Sequence, residues 1–307
     1  MSMTIDGSNL KGDEPLLVVG GILKVDSGSV IKGGNNTTNN NGSGVYTGTT
    51  GKIEITGGEI SCNTGNEGGA VVNLGTFTMS GGTISGNSST ANVANGNNST
   101  FIMTGGSIKN NKASGYCGGV YFGENVDATL SGGEISGNDF SDVYSWSNLK
   151  LSGAMKLSIM ALVNPAKMLV TSALKNNFKL HLLGDNLTSG SVFAQGSNGY
   201  ALTAQDIAKL TPGNSNYTFS LSNGNGIIKL TGTAAEEVLS LKGAYAEDGQ
   251  IVLYGQQVGD PYYIYSINGQ LIKSGVVKTN KETYQIEGKG VFVVKCGKNS
   301  YKVVCVR

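Results

Sequence analysis

Apolar and polar positions alternate through the first half of the chain in a phrase that keeps returning. Residues 77–87 read FTMSGGTISGN, and close copies stand at 53–63 (IEITGGEISCN), 101–111 (FIMTGGSIKNN) and 128–138 (ATLSGGEISGN). Worn copies begin at Leu23 (LKVDSGSVI) and Leu149 (LKLSGAMKL). Every second residue before the central Gly-Gly is apolar, as in Ile53 and Ile55 or Phe77 and Met79, and another apolar residue follows it. A period of two is that of a strand with alternate side chains facing inward. The Gly-Gly pair interrupts that strand and predicts a bend.

The first glycines, Gly57, Gly81, Gly105 and Gly132, are spaced by 24, 24 and 27 residues. With Ser27 and Gly153 as the worn equivalents, the outer steps are 30 and 21. A period in the twenties fits one coil of a solenoid and is too short for a propeller blade. A second strand is predicted earlier in each coil, around Val45, Val71, Val93, Val120 and Val143. Nothing in these coils has helical spacing. The pattern predicts an all-β chain whose major part is a right-handed, single-stranded parallel β-helix with Gly and Asn corners.

Stacking at the strand spacing of roughly 4.8 Å then predicts three inward ladders. One is Val30, Ile60, Ile84, Ile108 and Ile135; the second is Leu23, Ile53, Phe77, Phe101, Ala128 and Leu149. The third is Val25, Ile55, Met79, Met103, Leu130 and Leu151. Asn63, Asn87, Asn111 and Asn138 share one corner position. Stacked amides bond up and down a stack, and Asn tolerates left-handed backbone, so this row reads as a corner ladder rather than a row of sugar ligands. The repeated phrases resemble those of right-handed parallel β-helix surface proteins of bacteria, over residues 16–158.

From 159 to 235 the phrase disappears while strand patterning continues: Phe178, Leu180 and Leu182 alternate, as do Tyr217, Phe219 and Leu221. Irregular coils that complete a β-helix spanning 16–235 are expected, with a separate small β domain as the alternative. Thr203 to Leu210 reads as one short helix, capped by Thr203 with an acidic residue three later and stopped by Pro212. Residues 1–15 lack a basic start and an apolar core, so they read as a cap or disordered lead rather than a signal peptide.

Residues 236–307 lose the Gly and Asn richness. Seven short strands are predicted, the first at Val238–Leu241, with a two-residue turn at Asn268-Gly269. A small antiparallel β-sandwich is expected. Tyr265 to Gly275 (YSINGQLIKSG) and Gly288 to Lys295 (GKGVFVVK) resemble phrases of C-terminal sorting domains from the bacterial type IX secretion system, and Tyr301 to Arg307 resembles their closing strand. Ser266 stands where that family often has Asp, and Glu287 where it often has Leu. The resemblance implies passage through export machinery by way of 236–307. It also implies a place outside a Gram-negative cell, extracellular or on the outer-membrane surface, after removal of a signal peptide.

Composition narrows the function classes. Of 307 residues 48 are Gly, 4 are Pro and 14% are charged, with a formal net charge of +1. Such a neutral chain lacks the basic face of a nucleic-acid binder, and no apolar run is long enough for a membrane span. Cys62, Cys117, Cys296 and Cys305 have no metal-ligand spacing. Across the terminal hairpin Cys296 is predicted opposite Tyr301 and Cys305 opposite Phe292, too far apart to bond. His181, the only histidine, points away from Leu180 and Leu182 and reads as a surface residue.

Many polysaccharide lyases and hydrolases are β-helices, but fold alone does not give function. The only arginine is Arg307. Glu59 and Glu134 share a repeat position three coils apart, roughly 14 Å by stacking, beyond the separation of about 5–9.5 Å that paired glycosidase carboxylates need. Asp139 and Asp142 are expected on one loop with Glu124 and Asp127 nearby, a solvated acidic loop and candidate Ca²⁺ site. No other cofactor is expected. Tyr121 and Tyr144 are predicted to point outward side by side, with Trp146 on the same face. Exposed aromatics on a rigid sheet suit stacking on sugar rings or a protein partner. The expected role is an exported, non-catalytic, adhesin-like surface protein that meets a glycan or an extracellular host or matrix protein. The alternatives are a carbohydrate-active β-helix enzyme and a purely structural spacer.

Overall fold

The computed structural model describes residues 3–10, 12–163, 165–175, 177–185, 188–213, 215–230, 243–247, 250–254, 256, 258–279, 281–286, 290–297 and 299–305. The chain divides into two compact units, residues 1–232 and 233–307.

The first unit is a parallel β-solenoid of about eight turns. A typical coil gives one strand to each of three sheets, here called faces I, II and III. Face I runs from Thr4–Asp6 through Glu59–Ser61 to Lys156–Leu157. Face II runs from Leu17–Val19 to Leu210–Pro212, and face III from Ile22–Val25 to Val192–Gly196. Residues Thr4–Asp6 pair with Val30–Lys32 and so extend face I by one strand.

Period-two patterning produces the core directly. On face III, Ile53, Phe77 and Phe101 stand in register, as do Ile55, Met79 and Met103, all essentially inaccessible to solvent. The Phe77 and Phe101 rings stack at 4.8 Å with 2° between planes, and Phe122 meets Phe101 edge-on at 5.2 Å. Each such side chain stabilises the stack by about 1.5–3 kcal/mol. On face I the ladder is Ile31, Ile60, Ile84, Ile108 and Ile135. Ile31 therefore replaces Val30, which pairs with Glu59 and stays half-buried. The 26–29 turn carries one more residue than its counterparts, and one residue exchanges inside for outside.

The Gly-Gly pair forms the corner between faces III and I, and its members do different things. A Cβ on Gly81 would sit 2.2 Å from the Thr56 carbonyl oxygen of the preceding coil, and one on Gly105 2.3 Å from that of Ser80. The second glycines, Gly58, Gly82, Gly106 and Gly133, have φ of 68°, 75°, 79° and 88°, where a side chain is strained.

At the next corner the asparagines form a buried amide ladder. Nδ2 of Asn63 donates to Oδ1 of Asn87 at 3.0 Å, Asn87 to Asn111 at 2.9 Å, and Asn111 to Asn138 at 3.0 Å. The row is internally satisfied.

Beyond Leu157, face I has no further strand among the described residues, while faces II and III continue in parallel through Leu180–Asp185 and Met168–Val170. Face III closes with the antiparallel hairpin Tyr217–Ser222 and Asn225–Leu230. One hydrophobic core runs from Val19 to Ile228. The helix is Ala204–Ile207, with Thr203 and Asp206 forming a capping box. It ends before Pro212, whose segment Leu210–Pro212 is a parallel edge strand, a place that tolerates a residue without an N–H. His181 is exposed between buried Leu180 and Leu182.

The second unit contains a three-stranded and a four-stranded antiparallel sheet. Ile251, Leu253 and Tyr284 of one share a core with Ile264, Phe292 and Val294 of the other. Gly243–Glu247 supplies a strand that patterning missed. The predicted strand Val238–Leu241 lies outside the described residues. At Asn268-Gly269 only Gly269 has positive φ, 83°, and Ser266 N–H donates to Gln270 O. The loop is thus the longer kind with a left-handed glycine, not a two-residue turn. The terminal hairpin also differs in register: Cys296 opposes Asn299 and Cys305 opposes Gly290. The strand turns at Gly297, φ 54°, which widens the separation of the two cysteines along the ladder. The side chain of Cys305 is outside the described residues, and the expectation of no bond between them rests on that side chain.

Candidate functional site

The outward positions of face II carry the aromatic groups. Val120 and Val143 face the core, which turns Tyr121 and Tyr144 outward in register. Their rings stack at 6.0 Å with 12° between planes. A third ring, unforeseen from the repeat, completes the group. Tyr116 lies 5.6 Å from Tyr121 and 5.3 Å from Tyr144 and is 57% exposed.

Tyr116 reaches that place through a bulge. Ser89 pairs with Ala113 and Ala91 with Cys117, so four residues of Lys112–Phe122 oppose two of Ser88–Asn95. The extra length pushes the chain around Tyr116 out over the sheet. The signal was present as an interval: eight residues lie between Asn111 and Val120, against five between Asn87 and Val93. Burial holds the Tyr121 hydroxyl above the usual phenol range, reinforced by Tyr116, Glu67, Cys117 and Glu124. Burial also raises the Glu67 carboxyl. The platform is a partly desolvated aromatic surface with acidic neighbours.

Trp146 is not on this platform. The strand ends at Ser145, and the Trp146 N–H donates to Phe122 O at the corner. Its ring, 43% exposed, lines an open groove of about 660 Å³ with Glu124 and Asp127. The alternation that predicted a shared face holds only as far as the strand does.

The expected acidic loop is also divided. Asp127 is exposed and ion-paired with Lys150 at 2.9 Å. Asp139 is exposed and accepts from the Ala113 N–H at 3.3 Å. Asp142, expected in solvent beside it, is buried at 1% exposure, where it accepts from Asn138 and Ile159. Burial raises its carboxyl above the ordinary value, opposed by those hydrogen bonds. Asp139 and Asp142 lie in different environments, and Glu124 and Asp127 share a groove. Among the described residues, no group of three or more His, Cys, Asp or Glu side chains is placed to hold a metal ion.

Among the described residues no helix is long and apolar enough to cross a membrane. Glu59 and Glu134 occupy the same outward position three coil steps apart, through Thr83 and Ser107. No protein-family model matches the chain, and no curated protein matches it.

Proposed function

We propose that this is an exported, non-catalytic surface protein, adhesin-like, whose solenoid holds a rigid aromatic platform against a glycan or an extracellular protein. The observation that carries the reading is the group Tyr116, Tyr121 and Tyr144, three rings within 6.0 Å of one another on an outward face. Rings fixed by a sheet lose little conformational freedom on binding, and tyrosine offers both a flat apolar face and a hydroxyl. The spacing of Glu59 and Glu134, and the pairing of Asp127 with Lys150, favour binding over glycosidic cleavage. The resemblance of 265–275 and 288–295 to sorting-domain phrases supports export from a Gram-negative cell and display or release outside it.

The test is a glycan and matrix-protein binding screen that also follows unsaturated-product absorbance. Saturable binding without turnover, abolished by Tyr116→Ala, Tyr121→Ala and Tyr144→Ala together, is expected. Unchanged binding by the triple variant rejects the platform. Product formation favours a carbohydrate-active enzyme, and neither binding nor turnover favours a spacer.

A further inference from the structure

Face I ends one strand short of what the other two faces need. Among the described residues its last strand is Lys156–Leu157, yet the coil beyond it still has strands on faces II and III. Residues 171–175 and 177–179 lie across the vacated position without pairing as a strand. A groove of about 370 Å³ lies between these residues and that last strand. Lys156 comes from the last strand of the face, and Lys175 and Lys179 come from the crossing segment; all three are exposed. Met155, Leu157 and Phe178, each no more than 5% exposed, form its apolar floor.

The charge balance is one-sided. Among the described residues that line this groove Glu134 is the only carboxylate, and three lysines against it leave a net +2. Glu134 is engaged by the Ser136 hydroxyl at 2.9 Å. The chain as a whole has a net charge of only +1, so this is a local concentration of positive charge.

The crossing segment is also held in place. The Leu174 N–H donates to buried Asp206 Oδ1 at 2.9 Å, and its carbonyl accepts from Lys209 Nζ. Gly153 lies so close beneath that a Cβ there would be 1.8 Å from the Ala173 carbonyl oxygen. A segment held at Ala173 and Leu174 presents the adjacent Lys175 with less chain left to order, which reduces the cost of binding.

The geometry points to a second binding site, in this groove, for a negatively charged sugar residue such as a uronic acid within a polysaccharide. The lysines supply charge-assisted hydrogen bonds to the anionic group, and Ser158 and Asn177 on the same groove supply partners for sugar hydroxyls. This deepens the glycan-binding reading and rests on it only for the saccharide class; the groove and the tyrosine platform share no residue.

The experiment titrates the full chain with an oligogalacturonate and with a malto-oligosaccharide of equal length, by calorimetry at two salt concentrations. The expected result is binding of the uronate oligomer that weakens with salt, with weaker or no binding of the neutral one. Lys175→Glu with Lys179→Glu should weaken the uronate affinity by about tenfold or more, equivalent to about 1.4 kcal/mol. Lys24→Glu with Lys52→Glu, on the first coils of face III, should leave it within about twofold by the same arithmetic. The inference is overturned by no uronate binding, by equal affinity for the neutral oligomer, or by an unchanged affinity in the groove variant. Equal losses in both charge variants, meaning non-specific attraction, overturn it too. The tyrosine triple variant should keep the uronate affinity. If the wild type binds a glycan or matrix protein through the tyrosines but not the uronate, the groove inference falls and the proposed function stands.

Discussion

Asp142 completes the asparagine ladder that Asn138 begins to hand on. Its Oδ1 accepts both donors that Asn138 offers, Nδ2 at 2.9 Å and the backbone N–H at 3.2 Å. That is the arrangement at every earlier rung: Asn87 receives the same two donors from Asn63, each at 3.0 Å. The coil after Asn138 has no residue for the rung, because only Ser158 and Ile159 separate inward Leu157 from inward Met160. Asp142 folds back to fill the place.

An aspartate suits this end because its second oxygen also meets a donor. Oδ2 accepts from the Ile159 N–H at 3.0 Å. Asp142→Asn should therefore be destabilising, although it looks like one more rung. With the amide oxygen kept toward Asn138, the new NH₂ faces the Ile159 N–H and leaves that half-buried donor without its acceptor. The lost hydrogen bond costs about 1–3 kcal/mol, offset in part by relief of the burial that raises the carboxyl, and the net is read as a lower midpoint in urea unfolding at neutral pH. A midpoint equal to wild type would show that the ladder does not need an all-acceptor terminus.

The first glycine of each pair predicts a different failure. Gly105→Ala places a methyl 2.3 Å from the backbone oxygen of Ser80, which cannot rotate away as a side chain can. The two coils must part, at a cost of about 1–3 kcal/mol. Gly20→Ala, where an added Cβ has nothing within 4 Å, should change stability by no more than about 0.5 kcal/mol. Thermal unfolding of both variants is the check. Equal midpoints would mean that the close approach of neighbouring coils is not what requires glycine.

The ladders were legible in the sequence because two periods coincide: two residues along a strand and a coil length in the twenties. The misses occur where one of those periods breaks. Val30 exchanges inside for outside because the 26–29 turn holds an extra residue. Trp146 departs from Tyr144 because alternation stops with the strand at Ser145. Tyr116 carries no repeat signal because it sits in a bulge of Lys112–Phe122 against Ser88–Asn95. Asp142 is buried by a partner four residues away rather than one coil away, which a coil period does not reveal. Strand periodicity locates an interior; it does not locate the groove at Lys156, which exists because a strand is missing from face I.

Thiol accessibility separates two cysteines that composition alone treats alike. Cys62 replaces a corner glycine, has φ 55° and is exposed. Cys117 is fully buried beneath the tyrosine platform, and burial drives its thiol well above the ordinary range, with a smaller push from Asp142. Since the thiolate is the reacting species, Cys62 should be alkylated by iodoacetamide in the native protein while Cys117 is protected until unfolding. Peptide mapping after a short exposure distinguishes them. Rapid labelling of Cys117 in the folded protein would contradict a closed sheet under Tyr121 and Tyr144.

Asp206 links the helix cap to the wall of the lysine groove, and pH should expose that link. Burial raises its carboxyl, but hydrogen bonds from Thr203, Tyr200 and the Leu174 N–H outweigh this and hold it below the ordinary value of 3.8. Its oxygens accept from the Thr203 hydroxyl at 2.6 Å, the Tyr200 hydroxyl at 2.6 Å and Leu174 N–H at 2.9 Å. A lowered folded-state value means that the ionised form stabilises the native state. That contribution is fully present above the unfolded value and is lost as pH falls through the folded one. Asp206→Asn keeps one acceptor and should cost about 1–3 kcal/mol at neutral pH. The gap between wild type and variant should then close as the pH is lowered below 3.8. Asp142, whose carboxyl is raised, titrates with the opposite sign but identically in both proteins, so it cancels from the difference. Urea midpoints of both proteins across acid pH measure the gap. A gap independent of pH would show that Asp206 holds Leu174 by shape and not by charge.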